Sequence, residues 1–122
     1  MQRYLDIINH FGVRNQMKKL NEETFEFLEA VDLYEDAIAN DTFYSKEELY
    51  RIRDHVVEEL GDVLLLLTQY VALYCIEKDE LDKHMDYKLE RTEGYINDIL
   101  GKRNSCEWER ITFSNKRIKR RR

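Results

Sequence analysis

Proline is absent from this 122-residue sequence, and glycine occurs four times. Strands joined by tight turns draw on both residues, so a β-rich fold is excluded. The two cysteines, Cys75 and Cys106, form no CxxC pair and cannot build a disulfide framework. A reduced, cytosolic setting follows as the expectation. The apolar run at 63–67 falls far short of the ~20 residues that span a bilayer. The opening stretch MQRYLDIINHFG carries charged and polar residues where a signal peptide is apolar. A soluble intracellular protein with no membrane partner is expected.

Charge is what the chain has in quantity. Charged residues make up 37% of it, with a formal net charge of −5. The last seven residues, KRIKRRR, hold six positive charges, leaving 14 basic and 25 acidic side chains in the rest. An acidic body with a basic tail is unlike a DNA-binding domain, whose basic surface is built into the fold. The tail at 116–122 offers nucleic acid a nonspecific, salt-dependent contact, or it serves as a solubilising extension.

Glu, Lys, Leu and Arg dominate, which predicts an all-α fold. A short first helix is expected over 2–10, with Tyr4, Leu5, Ile7, Ile8 and Phe11 on its apolar side and Gly12 as the break. A second runs over 15–39, with a stripe through Met17, Leu20, Phe27, Val31, Tyr34 and Ile38. Ser45, with Glu48 three residues on, signals the start of a third helix over 46–76. Its stripe is Leu49, Ile52, Val56, Leu60, Val63, Leu67, Val71 and Tyr74. Leu64, Leu65 and Leu66 widen that stripe, and a helix apolar nearly all round needs cover nearly all round. A homo-oligomer, dimer or tetramer, completes the bundle in this reading. A fourth helix is expected over 80–100, using Leu81, Met85, Leu89, Ile96 and Ile99. Residues 1–101 form one helical domain, and 102–122 an extension in which 107–113 alternates weakly and could be strand or extended arm.

Three acids stand directly before the leucine run, in EELGDVLLLL. Helical geometry places Glu59 about 70° and Asp62 about 130° from the centre of the third helix's stripe. On the second helix Glu23 falls about 60° and Glu26 about 120° from its stripe, while Glu22, Glu29 and Glu58 point away. Each helix thus carries a pair of acids one turn apart at the edge of the core, and side-by-side packing lets four carboxylates converge. A hard cation that takes oxygen ligands, Mg²⁺ or Mn²⁺, would relieve their repulsion; solvated helix faces are the other reading of such acids. Other metals are excluded by spacing. None of His10, His55 and His84 follows a Glu by three residues, and there is no HExxH or Cys-His zinc pattern.

These motifs resemble a known family. GVRNQMKKLNEETFEFLEAV is similar to the opening motif of the MazG-like, all-α nucleoside triphosphate pyrophosphohydrolases, EELGDVLLLL to their second motif, and MDYKLERTEGYI to their Lys-x-x-Arg segment. The resemblance covers roughly residues 10–100. It implies a four-helix MazG-like bundle with metal ligands Glu23, Glu26, Glu59 and Asp62, the four acids that helical geometry selects. It implies that Lys88 and Arg91 hold phosphate oxygens and that Gln16 lies near the nucleotide. The implied reaction is Mg²⁺-assisted hydrolysis of a nucleoside triphosphate to monophosphate and pyrophosphate, with Glu26, Glu59, Lys88 and Arg91 as the catalytic set. Phe11, Phe43 and Tyr44 are candidate neighbours of the base by position, and packing residues otherwise. One departure is visible. Thirty-two residues separate Glu26 from Glu59, long for the family, so no particular base is implied. The other class of reading is a non-catalytic helical dimer that binds nucleic acid or a protein partner through its basic tail.

Overall fold

The computed structural model describes residues 1–101, and every regular element in that range is helical. Helix α1 spans Gln2–Phe11, α2 Val13–Ala39, α3 Lys46–Leu73 and α4 Lys78–Gly101, with a single 3-10 turn at Asp41–Phe43 between α2 and α3. The all-α expectation holds. The alternating segment at 107–113 and the basic tail at 116–122 lie outside the described residues. Two compact units are present. One is Met1–Ile76, and the other begins at Glu77.

In the first unit, α1 and α2 meet at Gly12, whose backbone sits at φ 91°, ψ 148°. A side chain rarely adopts that conformation, so glycine is what allows one helix to end and the next to begin without a loop. The Asn15 amide then donates to the Phe11 carbonyl at 2.8 Å, capping the freed end of α1. Helix α2 consequently starts two residues before the expected Asn15. At its other end both the backbone N–H and the side-chain amide of Asn40 donate to the Asp36 carbonyl. Ser45 caps α3 as its sequence signals, with its hydroxyl accepting from the Glu48 N–H at 3.1 Å. Helix α3 stops at Leu73, short of the expected 76, because Cys75 takes a positive φ of 53° that breaks the ladder.

The Gln16 side chain bonds that of Gln69, while Glu26 meets Glu59. Positions rising on α2 therefore meet positions falling on α3, so the two helices run antiparallel. Helix α1 packs against both, and the Tyr70 hydroxyl donates to the Val13 carbonyl at 3.3 Å.

The seam is rotated from the one read in the apolar stripes. On α2 the buried residues are Gln16, Ala30 and Ala37, spaced in sevens or multiples of seven. Glu23 falls in the same row. On α3 the buried residues are Val63, Leu66 and Gln69, while Leu60, Leu67 and Tyr74 of the expected stripe are exposed, as is Met17 on α2. The small Ala30 and Ala37 explain the shift, since they let the helix axes approach where larger side chains would hold them apart. The core of this unit is thin. Its fully enclosed large apolar side chains are Ile8 and Leu66, each worth about 1.5–3 kcal/mol of burial.

In the second unit, α4 begins with Asp79 and Glu80 in its first turn, favourable beside the positive end of the helix dipole. The Glu80 carboxylate accepts from the Glu77 N–H at 2.9 Å, and the helix starts two residues before the expected 80. None of its residues is buried, and Leu81, Met85, Leu89 and Ile96 of the expected stripe are exposed. No helix among the described residues is long and apolar enough to cross a membrane.

Candidate metal centre

The rotation of the seam draws Glu23 and Glu59 in towards the core and leaves Glu26 and Asp62 exposed. The Glu23 and Glu59 side chains are only 14% and 13% exposed. Glu26, one turn beyond Glu23, is exposed. One carboxylate oxygen from each of the three lies within 4.8 Å of the other two. Asp62 stands one turn further along α3 and lines a cleft with Glu23, but its carboxylate is outside the three-oxygen cluster. Three of the four expected ligands thus converge, and the fourth is adjacent. Glu22 and Glu58 face solvent, as their helix positions require.

Two basic side chains, Lys19 and His55, touch the cluster. Lys19 Nζ lies 3.5 Å from Glu23 Oε1, one helical turn away. His55 sits between two acids, its Nε2 3.7 Å from Glu59 and its Nδ1 3.8 Å from Glu58. These contacts leave Oε2 of Glu23 and Oε2 of Glu59 buried with no hydrogen-bond partner. An enclosed carboxylate oxygen without a donor is costly, and a cation bound there removes the cost. An all-carboxylate donor set on two rigid helices suits a hard divalent ion such as Mg²⁺ or Mn²⁺.

The repulsion also bears on the pKa of Glu26. The pKa of the Glu26 carboxyl is raised above its ordinary value, chiefly by the charge of Glu23, then by some loss of hydration and by the charge of Glu59.

Next to the acids lies a cleft of about 480 Å³, within the ~300–1,000 Å³ typical of ligand sites. Its apolar walls come from Ile7 and Phe11 of α1 and from Leu65 and Leu66 of α3. Glu23, Asp62 and Lys19 give it a charged side. Gln16 and Gln69 also line it. They are 5% and 0% exposed, and Gln16 Nε2 donates to Gln69 Oε1 at 2.8 Å.

The expected site residues divide accordingly. Gln16 is in the cleft wall, two turns from Glu23. Phe11 lines the cleft and is 55% exposed, whereas Phe43, 82% exposed, and Tyr44 do not line it. Lys88 and Arg91 belong to the second unit, where they lie one turn apart on the exposed surface of α4. Sequence reading missed Lys19 and Gln69. Lys19 carried the signal of an i,i+4 basic partner for Glu23. Gln69 carried a subtler one. It is seven residues beyond Asp62, as Gln16 is seven before Glu23, so each helix repeats an amide and an acid on one face.

No family model matches the chain, and no curated protein or solved structure matches it.

The crowding of acids yields a prediction for metal-free protein. In carboxyl-detected NMR held in chelator, Glu26 should titrate above the ordinary glutamate range, and Glu23→Gln should bring it down. Because the folded value is raised, the Glu26 contribution to stability is present in acid and is lost as pH rises through that value. Divalent ions, which need the ionised form, should bind more weakly as pH falls through the same range. A Glu26 that titrates normally would remove the crowding of charge argued here.

Proposed function

We propose that this chain is a MazG-like, divalent-metal-dependent nucleoside triphosphate pyrophosphohydrolase. The observation that carries this reading is the pair of buried, partnerless carboxylate oxygens on Glu23 and Glu59 within a three-glutamate cluster. The order of the three sequence motifs supports it, as does the cleft beside the cluster.

Glu23, Glu26, Glu59 and Asp62 hold the ion, Mg²⁺ with Mn²⁺ as a substitute. Bound there, it supplies positive charge against the triphosphate oxygens. The chain's own residues do the rest. Glu26, the exposed member of the cluster, takes the proton of the attacking water in this reading. The water oxygen bonds the α-phosphorus, the α–β phosphoanhydride breaks, and pyrophosphate leaves. Glu59 anchors the α3 side of the centre. The sequence resemblance assigns the leaving phosphate oxygens to Lys88 and Arg91. Lys19, 3.5 Å from Glu23, is a further cation at the phosphate side of the cleft.

Self-association belongs to the same proposal. Val57, Leu60, Leu64 and Leu67 are 40–52% exposed and recur at steps of three and four, forming a second apolar stripe on α3 beside the buried seam. A second copy of the chain covers it, giving a homodimer or a tetramer. In sedimentation analysis the wild type should be dimeric or larger, and Leu64→Glu should shift it towards monomer. A wild type that is monomeric at high concentration would refute this part.

The reaction is tested by product analysis. Purified protein with Mg²⁺ and a panel of nucleoside triphosphates should release monophosphate and pyrophosphate, with activity abolished by chelation. Glu59→Gln should lose at least about a hundredfold in turnover, equivalent to ~2.7 kcal/mol of barrier, while keeping its helical circular dichroism. Diphosphate and phosphate as products, or full activity in Glu59→Gln, would overturn the proposal.

A further inference from the structure

We infer that the cleft between α1, α2 and α3 takes the nucleobase of the substrate and that Gln69 is the residue that reads it, an assignment that rests on the nucleotide reading above. The amide pair on the cleft wall is the starting point. Gln69 Oε1 accepts from Gln16 Nε2, but Gln69 Nε2 is buried with no partner in the protein. A buried amide donor left unpaired is penalised, and native structures rarely keep one without an occupant that accepts from it. The bond from Gln16 uses Gln69 Oε1 and does not account for the donor Nε2. Leucine has a similar volume and would continue the apolar row of Val63 and Leu66. Gln69 is therefore costly as a core residue and useful as a binding one.

The walls fit a planar heterocycle. Ile7, Phe11, Leu65 and Leu66 offer apolar and aromatic faces, while the paired amides supply polar groups at one place in the lining. This is the division of labour of small-molecule sites, in which apolar walls give affinity and a few fixed polar groups give orientation. Phe11 is 55% exposed, which leaves its ring available to stack. The terminal torsion of glutamine is soft, so Gln69 can turn Nε2 towards a carbonyl oxygen or ring nitrogen while Gln16 holds the other end of the amide. The charged side of the cleft, at Glu23 and Asp62, sets the direction of the nucleotide. The base lies at the amide pair and the phosphates at the acids. Base selection then resides on the same two helices as the metal ligands, two turns along each.

The test avoids catalysis altogether. Full-length, ¹⁵N-labelled protein in chelator is titrated with adenosine, guanosine, cytidine, uridine and thymidine, up to the solubility of each. These probes carry no phosphate and need no metal. At least one should shift the side-chain amide resonances of Gln69, and Gln69→Leu should weaken its binding about tenfold or more. The assignment is overturned if no nucleoside perturbs Gln69, or if affinity is unchanged in Gln69→Leu; the partner of Nε2 is then a structural water. Should Gln69→Leu fail to fold, the wild-type resonance shifts decide by themselves. Failure of the two readings is distinguishable. Triphosphate hydrolysis without nucleoside shifts at Gln69 sinks the base site alone. Nucleoside shifts without hydrolysis sink the reaction and keep the site.

Discussion

Closing carboxylates into a helix seam costs free energy, and the rest of this fold follows from how that cost is met. Glu23 and Glu59 face each other across two antiparallel helices, each with one oxygen shut off from any donor. Lys19 offsets part of the charge from the rim, and His55 approaches Glu59 there, both at distances too long for strong hydrogen bonds. What holds the acids in place is the packing around them. Ala30 and Ala37 let α2 approach α3, Ile8 seals the α1 side, and Leu66 fills the row beyond Asp62. A site on the rigid middle of two long helices keeps its geometry better than one on loops, which matters for a cation that demands ordered oxygens.

Much of this was legible in the sequence. The lack of proline and the 3–4 spacing of apolar residues identify the helices. Ser45 marks the start of α3 correctly because a capping hydroxyl is a local signal. The acids Glu23, Glu26 and Glu59 were also visible, because seven-residue and three-residue spacings survive any rotation of the helix. The direction of the seam was not. An apolar stripe reports where large side chains are, and the α2–α3 contact is instead centred on two alanines and two glutamines. Small residues carry no hydropathy signal strong enough to outweigh Met17, Leu60 or Leu67, all of which lie exposed. The same error kept Gln69 hidden, since a polar residue inside an apolar stretch reads as a defect in the pattern.

The relation between the buried seam and the exposed leucines is the second lesson. Helix α3 carries two apolar rows about 100° apart, one closed by α1 and α2 and one left open. A thin core and an open apolar row on the helix that bears Glu59 tie the proposed metal centre to the proposed self-association, because a second copy covering that row would stiffen the helix that positions the acids.

The central claim is that the α2–α3 seam binds a divalent cation through its glutamates. Anomalous diffraction from crystals grown with Mn²⁺ tests it most directly. The account predicts a single strong peak bounded by Glu23, Glu26 and Glu59, with Asp62 turned towards it. Full-occupancy Mn²⁺ elsewhere on the chain, or no peak with the three glutamates well ordered, would contradict it.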